Sequence, residues 1–194
     1  MNLPLFPLHT VLFPGCILDL QIFEARYLDM ISRCMKQGEG FGVVCIVEGA
    51  EVGEAAERVA QVGCEAIIRD FQQRPNGLLG IRVEGGRRFR VSQAQVLPDQ
   101  LTVARADWLE DAPPRALDHQ QDDLLALLAA LAEHPMVASL DMGGSADSQA
   151  DLANKLAYLL PFTAEQKIAL LAEDDVGERL NQVQRLVEAL QGDQ

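Results

Sequence analysis

Three histidines, four cysteines and five serines are the side chains that could carry nucleophilic or metal chemistry here, and their spacing argues against it. His9, His119 and His134 lie far apart, with no H-x-x-x-H or H-E-x-x-H to place two imidazoles on one helix face, so no zinc is expected. Cys16, Cys34, Cys45 and Cys64 contain no C-x-x-C and read as buried thiols in a reducing cytosol. No serine stands in G-x-S-x-G; Gly143-Gly144-Ser145-Ala146-Asp147 fails at its last position. Gly38-Glu39-Gly40-Phe41-Gly42 has the look of a phosphate loop, but it precedes a strand and lacks the G-K-[ST] ending, so it reads as a turn. The acidic pairs Asp122-Asp123 and Asp174-Asp175 sit at expected helix N-termini, where they complement the helix dipole. The residues therefore predict no enzyme, no catalytic residue, no cofactor and no metal.

Arg69, Arg74, Arg82, Arg87, Arg88 and Arg90 could in principle hold a polyanion. Strand alternation places Arg88 and Arg90 together on one face, with Phe89 and Val91 turned to the core. Without interleaved exposed aromatics, that face reads as solvated surface balanced by acids rather than an RNA platform. The whole chain carries 16 Lys+Arg against 29 Asp+Glu, a net charge of −13, which disfavours both nucleic acid and an anionic membrane surface. No apolar run reaches the ~18–20 residues that span a bilayer. The opening Met1-Asn2-Leu3-Pro4-Leu5-Phe6-Pro7 has no basic region and is broken by prolines, so it is not a signal peptide and a cytoplasmic location is expected.

The elements that must position these residues fall into two halves. The first hundred residues hold ten basic and twelve acidic side chains, the rest six and seventeen, and Gly and Pro thin out in the last third. Residues 3–8 are too proline-rich for a central strand and suit an edge. Residues 17–22 alternate as a half-buried strand, after which Phe23, Tyr27, Ile31 and Cys34 recur at helical steps up to Gly38. Strands are predicted over 41–47, over 59–71 with a break near Gly63, and over 101–108. Asn76-Gly77 marks one turn, and Gly85-Gly86 is predicted to be the two-residue turn of a hairpin.

Asp111-Ala112-Pro113-Pro114 interrupts both periods and sets the boundary, with domains at 1–112 and 113–194. Beyond it, leucines at helical spacing run to His134-Pro135. Ser148 or Asp151 caps a helix bearing Leu152, Leu156 and Leu159-Leu160, and Thr163 with Gln166 forms a capping box. Asp174 or Asp175 starts a last helix with Leu180, Val183, Leu186, Val187 and Leu190. The fold class is α+β: short strands suggesting a small barrel or sandwich with one short helix, then a helical bundle.

Several of these segments in order resemble the N-terminal, substrate-recognising domain of the ATP-dependent protease Lon. They are Leu3-Pro4-Leu5-Phe6-Pro7-Leu8, Val11-Leu12-Phe13-Pro14-Gly15, Leu20-Gln21-Ile22-Phe23-Glu24-Ala25-Arg26-Tyr27, Phe41-Gly42-Val43-Val44, Val62-Gly63-Cys64-Glu65-Ala66 and Gly86-Arg87-Arg88-Phe89-Arg90-Val91. Leu159-Leu160-Pro161-Phe162 and Glu178-Arg179-Leu180 extend the match into the helical half. Cys64 stands where that family usually has threonine. The resemblance implies a PUA-like β-barrel followed by a bundle. Lon's ATPase and protease modules have no counterpart in these 194 residues, so ATP hydrolysis and cleavage are not carried over.

It also implies a non-enzymatic module that binds unfolded or apolar polypeptide in an exposed apolar groove, expected between barrel and bundle. Leu12, Phe13, Phe71 and Trp108 are the candidate binding residues, and an acidic bundle favours basic or apolar partners. The motif residues read as structural: Pro14-Gly15 as a tight turn, Phe23 and Tyr27 as core anchors of the short helix, Glu24 and Arg26 as a local polar network. Competing readings are an adaptor docking on another protease or chaperone through the bundle, and a PUA-like module for a small molecule or RNA. Homo-oligomerisation through the leucine-rich bundle is also open.

Overall fold

The computed structural model describes residues 1–192 and divides the chain into two compact units, Met1–Glu110 and a second beginning at Asp111. The first unit is a mixed sheet with one helix: β1 (Asn2–Leu8), β2 (Ile17–Ile22), α1 (Ala25–Gln37), β3 (Phe41–Glu48), β4 (Arg58–Val59), β5 (Val62–Gln73), β6 (Leu79–Val96) and β7 (Thr102–Trp108). Neighbouring strands run β1-β7-β6-β5-β3-β4, β2 pairs with β6, and β1 also pairs with β3. The pairings thus return to their starting strand. All are antiparallel except β1 with β3. Leu3, Leu5, Val44, Phe89, Ala104 and Ala106 form one buried apolar cluster.

β1 is not the expected edge. Asn2–Pro4 pair with β7, while Leu5–Leu8 pair with β3. Each residue of β1 is thus registered against one neighbour only, which is how a strand holding Pro4 and Pro7 sits inside the sheet despite lacking two N–H donors. The Asn76-Gly77 turn is where the spacing placed it: Gly77 takes φ +80° and its N–H donates to the Arg74 carbonyl at 3.2 Å.

Gly85-Gly86 is not a turn. β6 runs through both glycines without a break for 18 residues, and the hairpin joining β5 to β6 is made by the Asn76-Gly77 segment. What Gly85 permits is close approach of another backbone. Its N–H donates to the Cys16 carbonyl at 2.8 Å, and its carbonyl accepts from Gly15 N–H at 2.8 Å. A Cβ there would fall on the Phe13 carbonyl oxygen. Gly15 itself, at φ +80°, makes the turn that presents these groups.

Helix α1 begins two residues later than the apolar period suggested. Glu24 is its N-cap and Gly38, in the left-handed region at φ +66°, its C-cap. Phe23 therefore precedes the helix and is 52% exposed, so it is no core anchor. Tyr27 is buried and stacks on Phe6, ring centroids 4.1 Å apart. Arg88 also departs from its expected place. It is 1% exposed and among the largest fully buried side chains, while Arg90 is exposed. Alternation assumes one wet face, and here both Arg88 and Phe89 are covered.

Among its described residues the second unit contains a 3₁₀ turn (His119–Gln121) and five helices: α2 (Asp122–Ala132), α3 (Pro135–Ala138), α4 (Gln149–Leu159), α5 (Ala164–Ala172) and α6 (Val176–Gly192). Leu124, Leu128, Leu152, Leu156, Leu170, Leu180 and Val183 lie buried within it. Ser148 caps α4 by accepting from Asp151 N–H, and Thr163 with Gln166 forms the full capping box of α5. Asp175 accepts from Gly177 N–H at 2.9 Å at the start of α6. Arg179 is buried, its guanidinium donating to Asn154 Oδ1 at 2.9 Å and to the Glu173 carbonyl. No helix among the described residues is long and apolar enough to cross a membrane.

All four cysteines are buried free thiols. Burial pushes the Cys34, Cys45 and Cys64 thiols up, which keeps them protonated and unreactive at neutral pH. A thiol reagent at pH 7 is expected to leave Cys16, Cys45 and Cys64 unmodified until the protein is unfolded. Mass spectrometry after labelling with and without denaturant checks this; rapid native labelling of Cys64 would show that its burial is transient.

Candidate functional site

A cavity of about 1040 Å³ is lined entirely by residues of the sheet unit. The N-terminal end of β1 forms one wall and the stretch of β5 from Glu65 to Phe71 the other, with the Gly38-Glu39-Gly40 link closing one end. Arg87 and Trp108 complete the lining. The exposed apolar side chains along it are Met1, Met35 and Phe71, with Ile67, Ile68 and Trp108 partly exposed.

The structure brings together two of the four sequence-predicted binding residues. Phe71, 55% exposed, and Trp108 border the same cleft. Trp108 packs in a T-shaped contact with the buried ring of Phe89, centroids 6.3 Å apart, and the Arg87 guanidinium lies over its ring at 3.7 Å. Two contacts thereby restrain the ring. Leu12 and Phe13 are not in the cleft: at 1% and 0% exposed they are core residues beneath the Pro14-Gly15 turn, and side chains with no accessible surface cannot touch a ligand. Their neighbouring glycine turn suggested a surface loop, but the turn is pinned to Gly85 and drives both side chains inward.

Met35 and Ile67 also line the cleft and are not among the residues the sequence singles out, while Arg87 enters there only through the arginine cluster. Met35 lies outside the Tyr27–Ile31–Cys34 stripe of α1, and an apolar residue off the buried face of an amphipathic helix was the available signal.

Three arginines of the cluster are already engaged across strands. Arg82 grips Asp19 with two hydrogen bonds of 2.8 and 2.9 Å, Arg69 Nε donates to Glu84 at 2.7 Å, and Arg87 pairs with Glu65 at 3.1 Å. The Arg82 hydrogen bond holds the Asp19 carboxyl below the usual carboxylate range. A phosphate ligand would have to displace these partners. Glu39 and Asp70 add negative charge to the cleft lining.

Arg26 shows what the Glu24-Ala25-Arg26-Tyr27 motif does. It is 5% exposed, donates from Nη1 to the Gln100 carbonyl at 2.8 Å and from Nη2 to the Glu51 carbonyl at 3.4 Å, and pairs with Glu24 at 3.0 Å. Its guanidinium also lies 4.6 Å from the Tyr27 ring centre. One side chain thus ties the start of α1 to two loops distant in sequence, rather than forming a surface ion pair.

A solved Lon N-terminal domain protein from Xanthomonas campestris is 36% identical to the chain, with a TM-score of 0.75 over 95% of this chain and 98% of that one. The N-terminal domain of the Mycobacterium avium complex Lon protease shares the fold at 18% identity and a TM-score of 0.63. Lon protease of Escherichia coli K12 is 22% identical over 97% of this chain, and Lon protease of Flavobacterium johnsoniae 21% over 92%. The chain spans about a quarter of the length of these curated relatives. The family model of the ATP-dependent protease La (LON) substrate-binding domain matches residues 2–189, and the chain belongs to that family.

Proposed function

We propose that the protein is a non-enzymatic module that binds unfolded or apolar segments of polypeptide through the cleft bearing Phe71 and Trp108. One observation carries the reading: a wide cleft on the sheet unit exposes Met1, Met35 and Phe71 beside a tryptophan restrained by Phe89 and Arg87. Monomeric proteins rarely leave such groups in one concavity without a partner, and a rigid aromatic loses little entropy on binding. Membership of the Lon substrate-binding family supports the same ligand class. The return pairing of β1 with β3 supports reading the sheet as a small PUA-like barrel.

An apolar cleft predicts binding that survives salt, because surface charge attraction is screened and burial is not. Fluorescence anisotropy of a labelled, permanently unfolded polypeptide titrated with the protein tests this at low and high salt, without nucleotide. Phe71→Ala and Trp108→Ala are each expected to weaken binding by about tenfold, the cost of removing a central aromatic anchor. Phe71 is the cleaner probe, since its exposed ring contributes little to the core. Absence of binding up to ~100 μM, which leaves less than about 5 kcal/mol for the interaction, would refute the reading.

A further inference from the structure

Among the described residues, the two walls of the cleft are strand edges that lack a neighbour. On the β5 side, residues 64–66 pair with β3, but β3 begins only at Phe41, opposite Ala66. From Ile67 to Gln73, β5 is registered against β6 alone. On the β1 side, β3 contributes partners from Leu5 onward, so Asn2–Pro4 are registered against β7 alone. Continued backwards in a straight line, β3 would run between these two stretches. Instead the chain turns away through Gly38-Glu39-Gly40 into the C-terminal end of α1. The cavity lies along that vacated track, for its lining contains residues 1–4, 38–40 and 67–71 together.

We infer that an extended polypeptide segment enters this track as an added strand, its main chain hydrogen-bonding to the free edge of β5 at 67–71; this rests on the polypeptide-binding reading and specifies its mode. A free edge offers alternating N–H and C=O groups that only another extended main chain can satisfy in series. It asks nothing of the ligand's sequence, whereas alternate side chains of the added strand point to opposite faces. Because the bulge at Arg69 shifts the alternation, one set would lie along the face of Ile68 and Phe71 and the other along that of Ile67. Charge narrows the ligand further. Arg69 and Arg87 are committed to Glu84 and Glu65, which leaves Glu39 and Asp70 to favour lysine or arginine beside the apolar stretch.

The edge also carries devices that oppose pairing between two copies. Arg69 is the extra residue of a bulge between Ile68 and Asp70, and the Phe71 N–H is held by the Asp70 carboxylate at 2.8 Å. A bulge and a charge blunt a flat edge against open-ended association. A single strand confined between two walls need only displace the Asp70 carboxylate from one donor, so the occupant is an extended peptide and not a second copy of the chain.

The probe is a labelled peptide of about ten residues, alternating valine and threonine with a lysine at each end, measured by anisotropy against the intact protein. Two further versions carry backbone N-methyl groups at alternate residues, one in each phase. Strand addition predicts that one phase weakens binding by about tenfold or more and the other less, because one set of amides faces the edge of β5 at 67–71 and the other only the short stretch of β1 at 2–4. It also predicts slower amide hydrogen exchange at 67–71 in the complex. Equal affinity of all three peptides would overturn strand addition while leaving capture itself intact. Failure of both the unmodified peptide and an unfolded polypeptide to bind would overturn the underlying reading with it.

Discussion

Replacing Gly85 with alanine is expected to destabilise the sheet unit by at least about 3 kcal/mol, the upper end of what overpacking a tight site costs. For a unit of this size, that lowers Tm by on the order of 15 °C. The new methyl would land on the carbonyl oxygen of Phe13, and a backbone atom cannot swing aside as a side chain does. Relief would require the 13–16 turn to lift off β6. Both hydrogen bonds between Gly85 and that turn would then break, and the buried Leu12, Phe13 and Cys16 would be exposed with it. Gly80 supplies the control within the same strand. Its Cβ would meet nothing closer than Arg74 Nε at 3.4 Å, so Gly80→Ala should stay within about 0.5 kcal/mol of the parent. Calorimetric melting of the two variants decides the matter, and equal Tm values would mean that the turn is not seated on Gly85.

Arg26→Ala is the second large effect, expected to cost about 3–5 kcal/mol as one partner of a buried charged network is removed. Alanine leaves the Gln100 and Glu51 carbonyls without their donor and Glu24, itself largely covered, without its counter-charge. The consequence is also conformational. Gln100 sits at φ +71°, in the left-handed region that costs a non-glycine residue energy, and its carbonyl is held there by Arg26. Arg26→Lys should recover only part of the loss, because an ammonium is a single point of charge and cannot reach two carbonyls and a carboxylate as a planar fork does. Urea unfolding of both variants, with hydrogen exchange at 49–56 and 97–101, checks this. Unchanged exchange in those loops would show that Arg26 serves α1 alone.

These two sites show how unevenly the molecule was legible. The helical half was read closely because its determinants are local. Leucine spacing, the Thr163–Gln166 capping box and the Ser148 cap each act within a few residues of themselves. The same holds for the Asn76-Gly77 turn, whose positive φ is a property of the turn itself. The sheet half was misread wherever a residue's role depended on a partner far along the chain. Gly85-Gly86 carries a turn's composition, yet what it allows is contact with a loop some seventy residues earlier. Residues 3–8 carry an edge strand's prolines, yet split their pairing between two strands. Arg88 carries a surface residue's charge and is buried.

The candidate binding residues divide along the same line. Apolar side chains at 12, 13, 71 and 108 were equal as sequence, because nothing local separates a core aromatic from an exposed one. Burial is a sum over neighbours brought in by tertiary contact. The amino-acid sequence by itself determined the family, the two-part organisation of strands followed by helices, the helix caps and the net negative charge. Only the tertiary structure decided that Leu12 and Phe13 go inward while Phe71 and Trp108 share a cleft, and that β3 starts too late to cover the edge of β5. The physical reason is that propensity, capping and periodicity are written within a few residues, whereas strand order and the gaps it leaves arise from pairings between segments that the chain keeps far apart.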